Sequence, residues 1–171
     1  MKQLFKVTLF ALLFLVGGNS FAQNYKFGHI DSAKLLAIMP EKAEAQKQIQ
    51  AKLQEFNKQL QEMQADRQKL LNAYVAERDK LSEAVRANKE KEIQDLQNRM
   101  QTFDGWAQQE VQNKQNELFE PIYKKAMKAI KDVADENNFT YIFDVSSGVI
   151  LFHSADSKDV TALVKAKLGI Q

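Results

Sequence analysis

The sequence predicts an α+β chain made mostly of helix, in which a long antiparallel helical hairpin, read as a coiled-coil arm, stands on a small β body. Three observations carry this reading. From residue 41 to about residue 137 the chain holds one proline, Pro121, and one glycine, Gly105, among many Gln, Lys and Glu residues. Within that stretch apolar residues recur at alternating intervals of four and three, the spacing of a coiled-coil seam: Ile49, Leu53, Phe56, Leu60, Met63, then Leu70, Tyr74 and Leu81, with polar interruptions at Arg67 and Glu77. Past Ala84 the same register places Asn88, Lys91, Asp95 and Asn98 in the seam, whereas the apolar residues are Ile93, Leu96, Met100, Phe103 and Ala107. That displacement of about two residues turns the stripe by roughly 200°. One straight helix loses its apolar face at such a jump. Two helices joined by a turn between Leu81 and Ile93 keep it.

The first residues read as a secretory leader. Lys2 and Lys6 precede an almost wholly apolar run, residues 7–16, and Ser20, Phe21 and Ala22 form a small-x-small cleavage site before Gln23. The run is too short for a bilayer span, which needs about 20 residues. We therefore expect residues 1–22 to be removed, leaving residues 23–171 as one exported domain in the periplasm with no stable membrane anchor. The chain has 24 basic and 22 acidic side chains, and loss of Lys2 and Lys6 leaves 22 of each. A formally neutral chain offers no overall basic charge to displace counterions from phosphates, so no nucleic-acid partner is expected. There is no cysteine, which excludes lipoprotein anchoring and disulfide stapling.

Taken in order, residues 25–30 alternate around Tyr25, Phe27 and His29 and read as a short strand. Asp31 or Ser32 can cap a brief helix that buries Leu35, Leu36 and Ile38. Pro40 suits the first turn of the first long helix, where its fixed φ fits and no helical hydrogen bond is lost. Glu41 and Glu44 stand favourably at the positive end of that helix. Ser82 can cap the returning helix, with Glu83 in its first turn. If Pro40 and Pro121 mark the arm's base, its midpoint falls near residue 80. The dipeptide Asp104-Gly105 is a rival turn, but it would make one leg nearly twice the other. Gly105 is therefore read as a flexible point within the returning helix. The arm is expected over 41–120 with its tip near 81–88, and the body over 24–40 and 121–171.

After Pro121 the apolar stripe widens through Ile122, Tyr123, Ala126, Met127, Ile130, Val133 and Ala134, as if this segment packed against more than the first leg. Residues 139–145 read as a strand with Phe139, Tyr141, Phe143 and Val145 on one face. Ser146, Ser147 and Gly148 make a tight turn, and residues 149–153 are expected to pair back as a second strand. Asp156 or Ser157 can cap a final helix with Val160, Leu163, Val164 and Leu168 inward and Gly169 at its stop. Phe27, Tyr141, Phe143, Val145, Val149 and Leu151 are the candidates for packing within the body and between subunits. Three short strands make a thin core, and bodies of this size usually need reinforcement by oligomerisation, so the strands are expected to pair between copies of the chain.

The run Gly28-His29-Ile30-Asp31-Ser32 with Leu35-Leu36, the segment Pro121-Ile122-Tyr123-Lys124-Lys125-Ala126 continuing to Ala129-Ile130 and Val133-Ala134, and the closing Ile142-Phe143-Asp144 and Asp159-Val160-Thr161 resemble the Skp/OmpH family of periplasmic chaperones. The resemblance covers the whole chain after the leader, and the order of elements, not any one motif, makes it specific. It implies a homotrimer shaped like a jellyfish, with a small β-barrel body shared by three subunits and three helical arms around a cavity. It implies, too, that unfolded outer-membrane proteins are held there without ATP. Familiar members are strongly basic and this chain is neutral, so no residues are carried over for electrostatic clamping, lipopolysaccharide or DNA.

Enzymatic chemistry finds little purchase. The two histidines, His29 and His153, fall on expected strands, and no His/Cys/carboxylate spacing suits a metal, so neither a metal nor a cofactor is expected. Ser154 and Asp156 near His153 are turn and cap residues, since adjacency in a turn is not a triad. No Gly-rich phosphate loop is present. In the arms Trp106 has two readings: an aromatic facing the cavity and touching unfolded chain, or a ring packed over the arm's edge near Gly105. A competing function for the whole chain is a structural coiled-coil scaffold or spacer of the cell envelope, since a spacer and a tentacle share the same periodicity.

Overall fold

A computed structural model describes residues 25–170; the expected leader, residues 1–22, lies outside the described residues. The elements run β1 (Phe27–Ile30), α1 (Ser32–Ala37), α2 (Pro40–Glu77), a 3-10 turn (Arg78–Lys80), α3 (Glu83–Glu136), β2 (Tyr141–Asp144), β3 (Lys158–Asp159) and α4 (Thr161–Leu168). Most of the chain is helix, in two long helices, with a small sheet. Among the described residues no helix is long and apolar enough to cross a membrane.

The long helices begin in different ways, α2 on a proline with no side-chain cap and α3 on a capping serine. Pro40 opens α2 with Glu41 in its first turn. Ser82 caps α3, its hydroxyl accepting from the Val85 N–H at 3.4 Å. The break between the two long helices falls over residues 78–82, and most of the stretch 81–88 is already helix. Residues 81 and 82 of the expected tip lie in that break, and Ser82 caps the helix that follows it. Partner positions along α3 fall as those along α2 rise. Glu41 pairs with Lys125, Phe56 with Phe103 at 5.9 Å between ring centroids, and the Tyr74 hydroxyl donates to Glu90. Gly105 and Pro121 both lie inside α3. Proline has no N–H to donate, so the helix carries one missing hydrogen bond at the arm's root.

The seam side chains are unevenly covered. Ile49, Phe56, Tyr74, Leu96 and Ala107 are buried, whereas Leu60, Met63, Leu70, Leu81, Ile93, Met100 and Phe103 are half-buried. Leu53 departs from the expected stripe and is 42% exposed. It borders a hollow shared with Ala107, Gln108 and Gln112, where α3 presents residues too small or too polar to close over it. Arg67 and Arg86 each keep a buried Nε without a hydrogen-bond partner, so packing near the tip is imperfect.

The sheet is parallel, in the order β2-β1-β3, with His29 opposite Phe143 on one side and Asp159 on the other. Alternation along β1 turns Gly28 and Ile30 inward and Phe27 outward. The inner face packs with Leu35 and Met39, with Ile122, Ala126, Ala129 and Val133 of α3, and with Val160 and Val164. Three ties close this body: Lys26 Nζ donates to the Asn137 carbonyl at 2.7 Å and sits 4.3 Å over the Phe139 ring, and Lys167 pairs with Glu136.

Several sequence expectations are corrected here. Residues 149–153 form no strand, and Val149 and Leu151 are 78% and 93% exposed. β1 occupies one edge of β2, and the third strand instead joins the far side of β1. The connection must then cross from one edge of the sheet to the other over its outer face, because the inner face is filled. Phe139 does not share a face with Tyr141 and Phe143; it precedes β2 and packs toward the core against Gly28. Phe27, Tyr141 and Phe143 do not enter the core of this chain and are exposed, and Val145 is half-buried. Ile38 and Leu163 are exposed. Neither Asp156 nor Ser157 caps α4: the Asp159 carboxylate accepts the Thr161 N–H at 2.8 Å, while Ser157 turns to His29.

Candidate functional site

Two surfaces gather side chains that the core does not use. The first lies along the two long helices. Phe56, Phe103 and Trp106 form an aromatic cluster, with Trp106 centred 5.2 Å from Phe56 and 5.6 Å from Phe103. Phe56 is buried, but the indole remains 49% exposed. The ring thus packs over the seam's edge and also presents a face to solvent.

From this cluster a groove of about 1070 Å³ runs toward the tip, lined by Met63, Asn88, Lys91, Glu92, Asp95, Asn98, Arg99, Thr102, Phe103 and Trp106. The α3 residues recur at three and four, so they form one helix face. They include Asn88, Lys91, Asp95 and Asn98, the four that an unbroken seam register would have buried. The change of phase brings the apolar stripe of α3 toward α2 and leaves this polar stripe open beside it. Side-chain amides and charges of both signs next to an indole and a thioether can exchange hydrogen bonds with a peptide backbone and cover apolar side chains without demanding a sequence. Gly105 adjoins the cluster, and a Cβ placed there would meet no atom within 4 Å.

The second surface is the outer face of the sheet. Phe27 stacks on Tyr25 at 6.2 Å and on Tyr141 at 6.1 Å, and Tyr141 stacks on Phe143 at 5.9 Å. All four rings are substantially exposed. On α3, Tyr123 and Met127 also remain open, at 51% and 63%, although Ile122, Ala126, Ala129 and Val133 beside them are buried. The wide stripe read from the sequence is thus split between the core and an uncovered side.

At the end of the sheet Asp144 gathers hydrogen bonds. Its carboxylate accepts from the Ser32 hydroxyl at 2.5 Å, the Ser32 N–H at 3.2 Å and the Ser146 N–H at 2.9 Å. Partial burial pushes this carboxyl up, but the bonds from Ser32 and Ser146 outweigh it and hold it below the ordinary range. Asp159 behaves alike: burial raises it, and hydrogen bonds from Thr161, followed by the nearby charges of His29 and His153, bring it down. These are structural ties, with no nucleophile set against a base. Among the described residues no group of three His, Cys, Asp or Glu side chains is placed to hold a metal.

Sequence reasoning singled out Trp106 but not the polar stripe leading to it, nor the contact between His29 and His153. The stripe was visible as the polar register past Ala84. The histidine contact joins residues far apart in the chain and left no local signal.

Comparison with known proteins adds to this geometry. No curated relative matches the sequence. The fold is similar to the crystal structure of a proposed outer membrane chaperone (OmpH-like) from Caulobacter crescentus CB15, with a TM-score of 0.73 at 16% identity over 88% of each chain. The family described as "Outer membrane protein (OmpH-like)" matches residues 26–168, nearly all of the described chain. The chain therefore belongs to the OmpH-like outer membrane protein family.

Proposed function

We propose that this protein is an ATP-independent holdase of the periplasm that binds unfolded outer-membrane proteins between helical arms and prevents their aggregation. The single observation that carries the reading is the open groove beside a half-exposed Trp106. It offers an aromatic ring and a mixed polar stripe to a partner without a fixed shape. In this reading residues 1–22 are a signal peptide cleaved after about Ala22, residues 41–120 form an antiparallel hairpin arm, and residues 24–40 and 121–171 form the body. No catalytic chemistry is involved. Nucleic acid is not a partner, since basic and acidic side chains balance once the leader is removed.

The reading includes a homotrimer. What supports it is the uncovered apolar surface at the body end: the outer aromatic face with Val149, Leu151 and Phe152 beside it, and Tyr123 with Met127. Monomers rarely leave large contiguous apolar patches in water. Two different patches on one chain suit a head-to-tail contact that closes into a ring.

The test is aggregation of several unrelated unfolded outer-membrane proteins, without ATP, in the presence of the protein. Suppression for all of them is expected. Action on one folded partner alone would favour the envelope scaffold. Mass measurement by sedimentation, with and without client, reports the trimer separately; a mass independent of concentration and equal to one chain would remove it.

A further inference from the structure

The chain's two histidines, far apart in the sequence, meet in the fold. His29 stands on central strand β1, and His153 lies in the connection from β2 to β3. Their rings stack with centroids 4.0 Å apart and planes 24° from parallel. His29 Nδ1 is also 2.8 Å from Ser157 Oγ, so two points of the same connection rest on one ring. The segment thus held borders an open hollow of about 350 Å³ lined by Phe27, Phe143, Ile150 and Phe152.

We propose that the His29–His153 stack is a pH-sensitive latch that holds the 145–157 connection over the outer face of the sheet and releases it when both rings are protonated. Histidine is the side chain whose ordinary charge change falls between about pH 5 and 8. Two neutral rings, or one cation over one neutral ring, can stack. Asp159 is opposite His29 in the β1–β3 register and remains a carboxylate, so it balances one imidazolium. A second proton sets two positive charges against that single carboxylate at the stacking distance. β2 brings apolar Phe143 opposite His29, β3 adds the cation Lys158 opposite Gly28, and Asp156 of the connection is exposed. Release frees the faces of Phe27 and Phe143 that line the hollow, adding to the 47% and 40% of each already exposed, and enlarges the aromatic patch they share with Tyr25 and Tyr141.

The test is hydrogen exchange on the full chain without its leader, read by mass spectrometry at about pH 7.5 and about pH 5. Rates are normalised to the unfolded chain at each pH. Peptides spanning 145–157 are expected to lose protection by about five-fold or more in acid, whereas α2 and α3 keep theirs. His153→Gln, at an exposed position, should show the same protection at both pH values. An acid loss of equal size in His153→Gln, or no loss in the parent chain, overturns the latch. Sedimentation at both pH values separates this from subunit contacts: an acid change of mass that persists in His153→Gln, together with unchanged 145–157 protection in the parent chain, also overturns it.

Discussion

The Trp106 indole packs 5.2 Å from the Phe56 ring, centroid to centroid, with the planes at 62°. One side chain therefore serves the arm's interior and its open groove at once. Trp106→Ala is expected to lower stability by about 1 kcal/mol through the lost aromatic contacts and to weaken holding of unfolded outer-membrane proteins. Trp106→Phe should restore most of the stability. Denaturant melts and light scattering measure the two effects apart. An indole emission that does not move when client is added to the parent protein would argue against contact.

Gly105 lies within α3 with open space around its missing Cβ. Gly105→Ala should stabilise the helix by about 1 kcal/mol, since glycine costs roughly that much relative to alanine in a helix interior. The stiffer arm is expected to hold a narrower range of clients. Equal holding of small and large clients by parent and variant would leave the flexible point without support.

Gly28 presents the opposite case on the inner face of the sheet. A Cβ there would stand 3.0 Å from Phe139 Cε1 and 3.0 Å from Val160 Cγ1. Gly28→Ala is expected to cost about 1–3 kcal/mol, the usual range for overpacking a filled core. The denaturation midpoint reports it. A midpoint equal to that of the parent would mean that Phe139 and Val160 yield freely.

Asp144 links the body's stability to pH. Its folded carboxyl lies below the ordinary range, so it binds a proton less readily folded than unfolded. Its contribution is fully present above the unfolded value of about 4 and is lost as pH falls through the lower folded value. Asp144→Asn should therefore be less stable than the parent near neutrality, with the gap closing as pH falls below about 4. A gap that stays constant through acid would assign the loss to packing instead of charge.

How much of the fold could be read in advance depended on the range of the forces involved. A mostly helical chain with long helices and a small sheet was legible because helix caps, three-and-four spacing and the rarity of Gly and Pro act within a turn or two. The strand assignments failed where partners lie far apart. Residues 149–153 are a short apolar run that reads like a strand, but β1 had taken one edge of β2 and the chain was drawn across the sheet to reach the other side. The polar stripe of the groove was likewise present as a broken register; its exposure depended on how α3 turns against α2.

The sequence by itself determined the helical character of the chain, the capping of α3 at Ser82 and the apolar stripes, because each is set by residues close together in the chain. Only the tertiary structure decided that β1 is the central strand, that Phe27, Tyr141 and Phe143 face outward, that Trp106 is half open, and that His29 meets His153. Those outcomes follow from which surfaces compete for the same partner in three dimensions, and period and composition carry no record of that competition.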